Sequence, residues 1–225
     1  MKLLVSILMA VLSSSFSLCT PTASSCPESR LTCNDSTYTT IKSPSQISCE
    51  SASGNSHGSA SVSGQWGLLH ASSFGTRDEH GSASAELMDE YVLLGPEAGT
   101  EIVLEALLSA WGSIGPCPLT GVSSLYGIGL VELEEPGGDR ASGQLYCTDT
   151  SEVLRLTMRV VAGQSFHLRS GLFSETTEAS ASLSASLRFS NLPSGATISS
   201  CHGFRQDEPV PAYPASWGYL KSRYR

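Results

Sequence analysis

Three short groups of residues in this chain have the types and spacing from which chemistry could be built. Gly54-Asn55-Ser56-His57-Gly58 has the Gly-x-Ser-x-Gly form of a nucleophile elbow. That motif needs a strand running into a strained turn that carries the serine, with a helix after it. Here polar residues come before and an alternating, strand-like run comes after, so a hydrolase reading is disfavoured. Asp78-Glu79-His80 sets two carboxylates beside an imidazole, which could ligate a hard cation or begin an acid–base pair. Neighbours on a loop splay apart and no second carboxylate pair stands out, so a solvated turn is expected. Asp139 follows Gly137-Gly138 and could touch calcium, yet a hairpin turn accounts for it as well.

Two segments echo one another, His57-Gly58-Ser59-Ala60-Ser61 and His80-Gly81-Ser82-Ala83-Ser84. They read as two similar strand starts, with Gly permitting a turn, rather than as a histidine pair for a metal, because no carboxylate or thiol recurs with them. Trp66, Trp111 and Trp217 are the three tryptophans. Trp66 and Trp111 close strand-like runs and are expected in the core or at an edge. Trp217, with Tyr213, Tyr219 and Tyr224, forms an aromatic cluster in a proline-rich tail and is the candidate binding surface. Asn34-Asp35-Ser36 has the form of a glycosylation sequon, irrelevant in a bacterial host. No residue is assigned a catalytic or metal-binding role, and no cofactor is expected.

The start of the chain is a short charged region, an apolar run over 3–12 and a serine-rich exit, the layout of a secretory signal peptide. Small residues at Ser17, Cys19 and Ala23 leave three cleavage points open. If Cys19 is removed, Cys26, Cys33, Cys49, Cys117, Cys147 and Cys201 remain, which reads as three disulfides in an oxidising compartment. No Cys-x-x-Cys pair occurs, so zinc is the minor reading. Cys117 with Cys147 is the favoured bridge, closing a loop worth about 3 to 4 kcal/mol. Cys26 with Cys33 or Cys49 would pin the polar N-terminus.

Those residues need a scaffold, and the patterning says which. Ala179-Ser180-Ala181-Ser182-Leu183-Ser184-Ala185-Ser186-Leu187-Arg188-Phe189-Ser190 alternates apolar with polar over twelve residues, one dry and one wet face of a strand. Further strands are expected at 59–66, 83–94, 101–111, 125–134, 144–147, 153–161, 166–173 and 196–200. Residues 97–110 would also suit an amphipathic helix, and the strand reading is preferred because strands flank them. Punctuated by Gly95-Pro96, Glu135-Pro136-Gly137-Gly138-Asp139 and Asn191-Leu192-Pro193-Ser194-Gly195, this is an all-β chain, an antiparallel β-sandwich or jelly roll with a disulfide-pinned N-terminal segment. The expected organisation is a signal peptide at 1–19, a polar cysteine-containing segment at 20–56 with at most one edge strand, a sandwich at 57–206 and an extended tail at 207–225. A net charge of -8 argues against nucleic acid or anionic membrane as partner. Beyond the leader no apolar stretch is long enough to span a bilayer, so no transmembrane anchor is expected.

Residues 58–64, 81–94, Val161-Ala162-Gly163-Gln164-Ser165-Phe166 and 179–203 together resemble a broad group of bacterial exported β-sandwich proteins. These are the ectodomains found upstream of PEP-CTERM sorting signals. The ending Leu192-Pro193-Ser194-Gly195-Ala196-Thr197-Ile198-Ser199-Ser200-Cys201-His202-Gly203 carries most of the likeness. The resemblance implies an exported bacterial surface or matrix protein with no known active site. Glu208-Pro209-Val210-Pro211 and the terminal arginines echo the flanks of the sorting signal, but its apolar helix is missing, so free release is expected. The reading is a secreted, non-enzymatic extracellular or cell-surface protein, associated with polysaccharide or protein. A hydrolase on a jelly roll is the alternative if Asp78, Glu79, Asp139 or His202 gather in one cleft. A protein–protein adhesion module is the other.

Overall fold

The computed structural model describes residues 26–34, 36–40, 47–115, 126–135, 138–145 and 151–207. In chain order the strands are β1 (Ser29–Cys33), β2 (Ser36–Thr40), β3 (Ile47–Ser53), β4 (Ser56–Ser63), β5 (Leu68–Gly75), β6 (Gly81–Leu94) and β7 (Glu101–Gly115). They continue with β8 (Tyr126–Glu134), β9 (Arg140–Leu145), β10 (Ser151–Val161), β11 (Ser165–Thr177), β12 (Ala179–Ser190), β13 (Thr197–Ser200) and β14 (Arg205–Gln206). One eight-stranded sheet has the order β14-β13-β6-β11-β8-β9, with β1 also on β6 and β2 on β1; a six-stranded sheet runs β10-β7-β12-β5-β4-β3. Every pairing is antiparallel, and the two sheets share one buried core, the expected sandwich.

Side-chain size along the inward positions shapes this core. On β6 they run Ala83, Ala85, Leu87, Asp89, Tyr91, Leu93, and on β12 Ala179, Ala181, Leu183, Ala185, Leu187, Phe189. Both strands therefore grade from small to large, and the sandwich tapers. At the wide end Tyr91 packs against Phe166, Phe189 and Phe204 with ring centroids 5.2–5.8 Å apart. At the narrow end the backbones of the two sheets touch. A Cβ on Gly81 would lie 2.0 Å from the Phe74 carbonyl oxygen, one on Gly75 2.1 Å from that of Thr176, and one on Gly58 2.1 Å from that of Ser82. Sheets packed through ordinary side chains stand about 10 Å apart, so only glycine fits these three positions.

The echo of His57-Gly58-Ser59 in His80-Gly81-Ser82 thereby acquires a structural meaning. The two copies begin strands of opposite sheets and meet at the narrow end, where their glycines serve close approach rather than a turn. Hydroxyls bridge the sheets there, Ser174 and Thr176 each donating to the Ser73 oxygen at 3.0 and 3.1 Å. Asn34, in a left-handed conformation between β1 and β2, accepts from the Ser82 amide and donates to the Ser51 carbonyl. The sequon-like Asn34 thus spends both ends of its amide holding the two sheets together.

Residues before 57 supply three strands, where the sequence suggests at most one. Cys33–Cys49 joins β1 in one sheet to β3 in the other. Cys26 pairs with Cys201, not with Cys33 or Cys49. The reason is strand direction: β1 runs antiparallel to β6, so the chain before Ser29 points toward Glu90, where the Cys201 amide bonds the Glu90 carbonyl. The expected Cys117–Cys147 bridge lies outside the described residues. The 101–115 stretch is a strand, with Leu104, Ala106, Leu108 and Ala110 inward, and the helical alternative falls. Strand β5 was not expected at all. Its buried face carries Leu69 and Ala71 but also Ser73, and its exposed face carries Leu68 and Phe74, so apolar side chains stand on both faces and the alternation is blurred.

Gly81→Ala is expected to destabilise the fold by about 3 kcal/mol, because the new methyl meets backbone that cannot move aside. Gly115→Ala, where nothing lies within 4 Å of the added carbon, serves as the control with little change. Guanidinium unfolding midpoints of the two variants check this.

Candidate functional site

The residue groups with catalytic form separate in the fold. Ser56 is buried, and its hydroxyl donates to the Ser53 carbonyl at 2.9 Å within the tight β3–β4 hairpin, with a strand and not a helix after it. Glu79 turns to accept from the Asn55 amide, while His80 pairs with Thr177 through Nδ1 at 2.6 Å. His57 instead faces outward from β4, its Nε2 2.9 Å from Glu50 Oε1, so the two echoed histidines have different partners. Asp139 is exposed in the β8–β9 hairpin and His202 is buried at the wide end. Asp78, Glu79, Asp139 and His202 do not gather in one cleft, and among the described residues no cluster of three or more potential metal ligands occurs.

What the fold does assemble is a contrast between its two outer faces. The eight-stranded sheet presents charge: Arg169 bridges Glu86 (2.7 Å) and Glu134 (3.4 Å), Arg140 pairs with Glu132, and Arg30, His167 and Glu90 lie alongside. On the six-stranded sheet, register sets rows of short hydroxyls side by side. Across β3, β4, β5, β12, β7 and β10 one row reads Ser48, Ser61, His70, Ser184, Trp111, Ser151. The next toward the narrow end is Glu50, Ser59, Ser72, Ser182, Ser113, and beyond it Ala52, His57, Phe74, Ser180, Gly115. In the opposite direction come Ser63, Leu68, Ser186, Ser109 and Val153. His70 Nδ1 lies 3.2 Å from the Ser184 hydroxyl. An open depression of about 300 Å³ is lined by Ser48, Glu50, Ser59, Ser61 and His70. The arginines of this face stand toward its wide end, with Arg155 on Glu105 and Arg159 on Glu101.

Exposed apolar side chains follow the same division. Leu68, Phe74, Val103 and Val153 all stand on the outer face of the six-stranded sheet, and Trp66 leads into β5. Trp66, expected in the core or at an edge, is 57% exposed, because it sits in a 3-10 turn rather than on a strand. Trp111 is half-buried on the outer face of β7. The aromatic candidates of the tail, Trp217, Tyr213 and Tyr219, lie outside the described residues. Phe74 and His70 were not singled out in the sequence. The alternation of Ser59, Ser61 and Ser63 and of Ser180–Ser186 hinted at the wet face, but nothing local shows that these runs lie next to each other.

Among the described residues one carboxylate, that of Asp89, is fully buried between the sheets. Asp89 accepts from the Ser200 hydroxyl and from the amides of Glu90 (2.9 Å) and His202 (3.1 Å), and Ser200 in turn accepts from the Phe204 amide. His202 reaches the Pro27 carbonyl at 2.8 Å, so the loop after β13 is organised around this carboxylate beside the Cys26–Cys201 bridge. Burial raises the Asp89 pKa to about 6, against the opposing pull of Ser200, the His202 imidazole and the two amides. The neighbouring Tyr91 hydroxyl is likewise pushed well above its ordinary range, first by burial and then by the Asp89 charge. Unfolded, Asp89 would titrate near 3.9. The folded state therefore holds the proton more tightly, and this stabilisation is complete below about pH 4 and lost as pH rises to about 6. Across that window the wild type is expected to lose about 3 kcal/mol relative to Asp89→Asn, and unfolding midpoints measured at pH 4 and pH 7 for both proteins check it.

No family model matches the chain, and no curated protein matches it either. Among solved structures, TmCBM61 in complex with beta-1,4-galactotriose aligns over 72% of this chain and 86% of its own, at 11% identity and a TM-score of 0.31. The enzymatically active domain of tailspike protein 4 from bacteriophage CBA120 aligns over 64% of this chain and 19% of its own, at 6% identity and a TM-score of 0.26. Superpositions of that quality bear on neither function nor fold, and the sandwich assignment rests on the sheets themselves.

Proposed function

We propose that this chain is an exported, non-enzymatic protein that associates with neutral extracellular polysaccharide through the outer face of its six-stranded sheet. The observation that carries the reading is the segregation of charge. A chain with a net charge of -8 sets ion-paired arginines and glutamates across the eight-stranded sheet and at the wide end of the six-stranded one, yet leaves the middle of the latter to serine, histidine and isolated apolar groups. A neutral glycan offers hydroxyls on its edges and C–H groups on its ring faces. Serine hydroxyls both donate and accept, so they can pair with such edges in either sense. They are also short, and ordering them costs little rotamer entropy. The uncharged middle of this face pays no ionic desolvation when a polymer covers it. Export is supported by the leader pattern and by two disulfides, a chemistry of oxidising compartments.

Affinity electrophoresis through gels containing xylan, galactan, mannan or dextran, with alginate and heparin as charged comparators, tests this. The expected result is retardation by at least one neutral polymer and by neither anionic one. Ser182→Glu should reduce retardation about tenfold by placing an unpaired charge under the ligand. Ser142→Glu, the same change on the opposite outer face, should leave it intact. Free migration through all of the neutral gels would overturn the reading.

A further inference from the structure

Two aromatic side chains divide the hydroxyl face in a way that bears on the shape of its ligand. Phe74, on β5, is 46% exposed and stands opposite Ser180 of β12. Trp111, on β7, is half-buried and stands opposite Ser184 of the same strand. The two rings thus flank β12 from opposite sides, two strands and four residues apart. With about 4.8 Å between strands and about 3.3 Å per residue, they lie about 16 Å from one another on an oblique line. The midpoint of that line is Ser182, which is exposed. His70, Ser72 and Ser184 flank the line on one side, Ser113 and Ser180 on the other, and no charged side chain stands on it. Glu50 is out at the β3 edge, and Arg155, Glu105 and Arg188 are two or more rows away.

We infer that the ligand is a linear neutral polysaccharide lying obliquely across the six-stranded sheet, one ring stacked on Phe74, another on Trp111, and the units between them over Ser182. This deepens the polysaccharide reading above and depends on it. Stacking on an aromatic face suits the apolar side of a pyranose, and two such platforms fix both the axis and the spacing of the chain. A ligand long enough to reach both rings gains the second contact without a second loss of translational freedom, so affinity rises steeply with length until the span is covered. A ligand shorter than the span occupies one ring or the other.

Calorimetric titration with cello-, manno- and galacto-oligosaccharides of two to eight units tests the arrangement. For whichever series binds, affinity is expected to climb with length and then level off. Phe74→Ala and Trp111→Ala should each weaken the longest oligomer about tenfold and flatten the climb, whereas Phe74→Tyr should preserve both. Both rings stand outside the core, so melting temperatures near that of the wild type confirm intact variants. Binding that ignores both alanine variants, or a disaccharide that binds as tightly as an octamer, would overturn the oblique track and leave the polysaccharide reading standing. Failure of every series and of every neutral polymer gel would remove both.

Discussion

The fold depends on how close its two sheets come at the narrow end. Gly58, Gly75 and Gly81 let main chain approach main chain, so the sheets meet at distances no side chain could occupy. From that contact the sandwich opens through alanine and leucine to the ring cluster around Tyr91. The chain also changes sheets there through short turns, between β5 and β6 and between β11 and β12 at Glu178, whose φ is positive. Short turns suffice for these crossings because little distance separates the layers. A core built so largely from alanine buries less apolar area per residue than one built from leucine, and the other devices gather where that shortfall is greatest. Hydroxyls link Ser73 to Ser174 and Thr176, Asn34 ties the layers, and Cys33–Cys49 bridges them covalently.

The wide end is governed by the opposite problem, a polar group inside an aromatic cluster. Asp89 is surrounded by donors, and the loop carrying Ser200, His202 and Phe204 closes over it with Cys201 bound to Cys26. An ionised carboxylate there is tolerated because three donors face it, and burial still makes its proton harder to lose. The arrangement specifies where the loop must sit rather than supplying chemistry, since no solvent reaches the carboxylate.

Between these ends the two outer faces take different work. Ion pairs join neighbouring strands across the eight-stranded sheet, and on the six-stranded sheet Arg155–Glu105 and Arg159–Glu101 stand toward the wide end. The middle of the six-stranded sheet is left with rows of serine broken by Phe74, Trp111 and His70. That division gives one molecule a charged outer face and an outer face whose middle is uncharged.

Much of the architecture was legible in the sequence. Period-two alternation in residues 179–190 fixes a two-faced strand, because inward positions must be dry in any sheet that has a core. Many short strands punctuated by turn residues identify the antiparallel sandwich, and the strands on either side decide that 101–111 is a strand rather than a helix. Strand β5 escaped the alternation, since Ser73 is buried against hydroxyls and Phe74 is exposed, and both depart from the simple rule. Cys26 with Cys201, the meeting of Gly58 with the second copy of its own motif, and the oblique placement of Phe74 and Trp111 are decided by strand order and register. These join residues tens to hundreds of positions apart, and local pattern carries no record of which strands become neighbours. The sequence by itself determined which face of each strand is wet; the tertiary structure alone decided which wet faces lie side by side, because pairing is a property of the whole sheet.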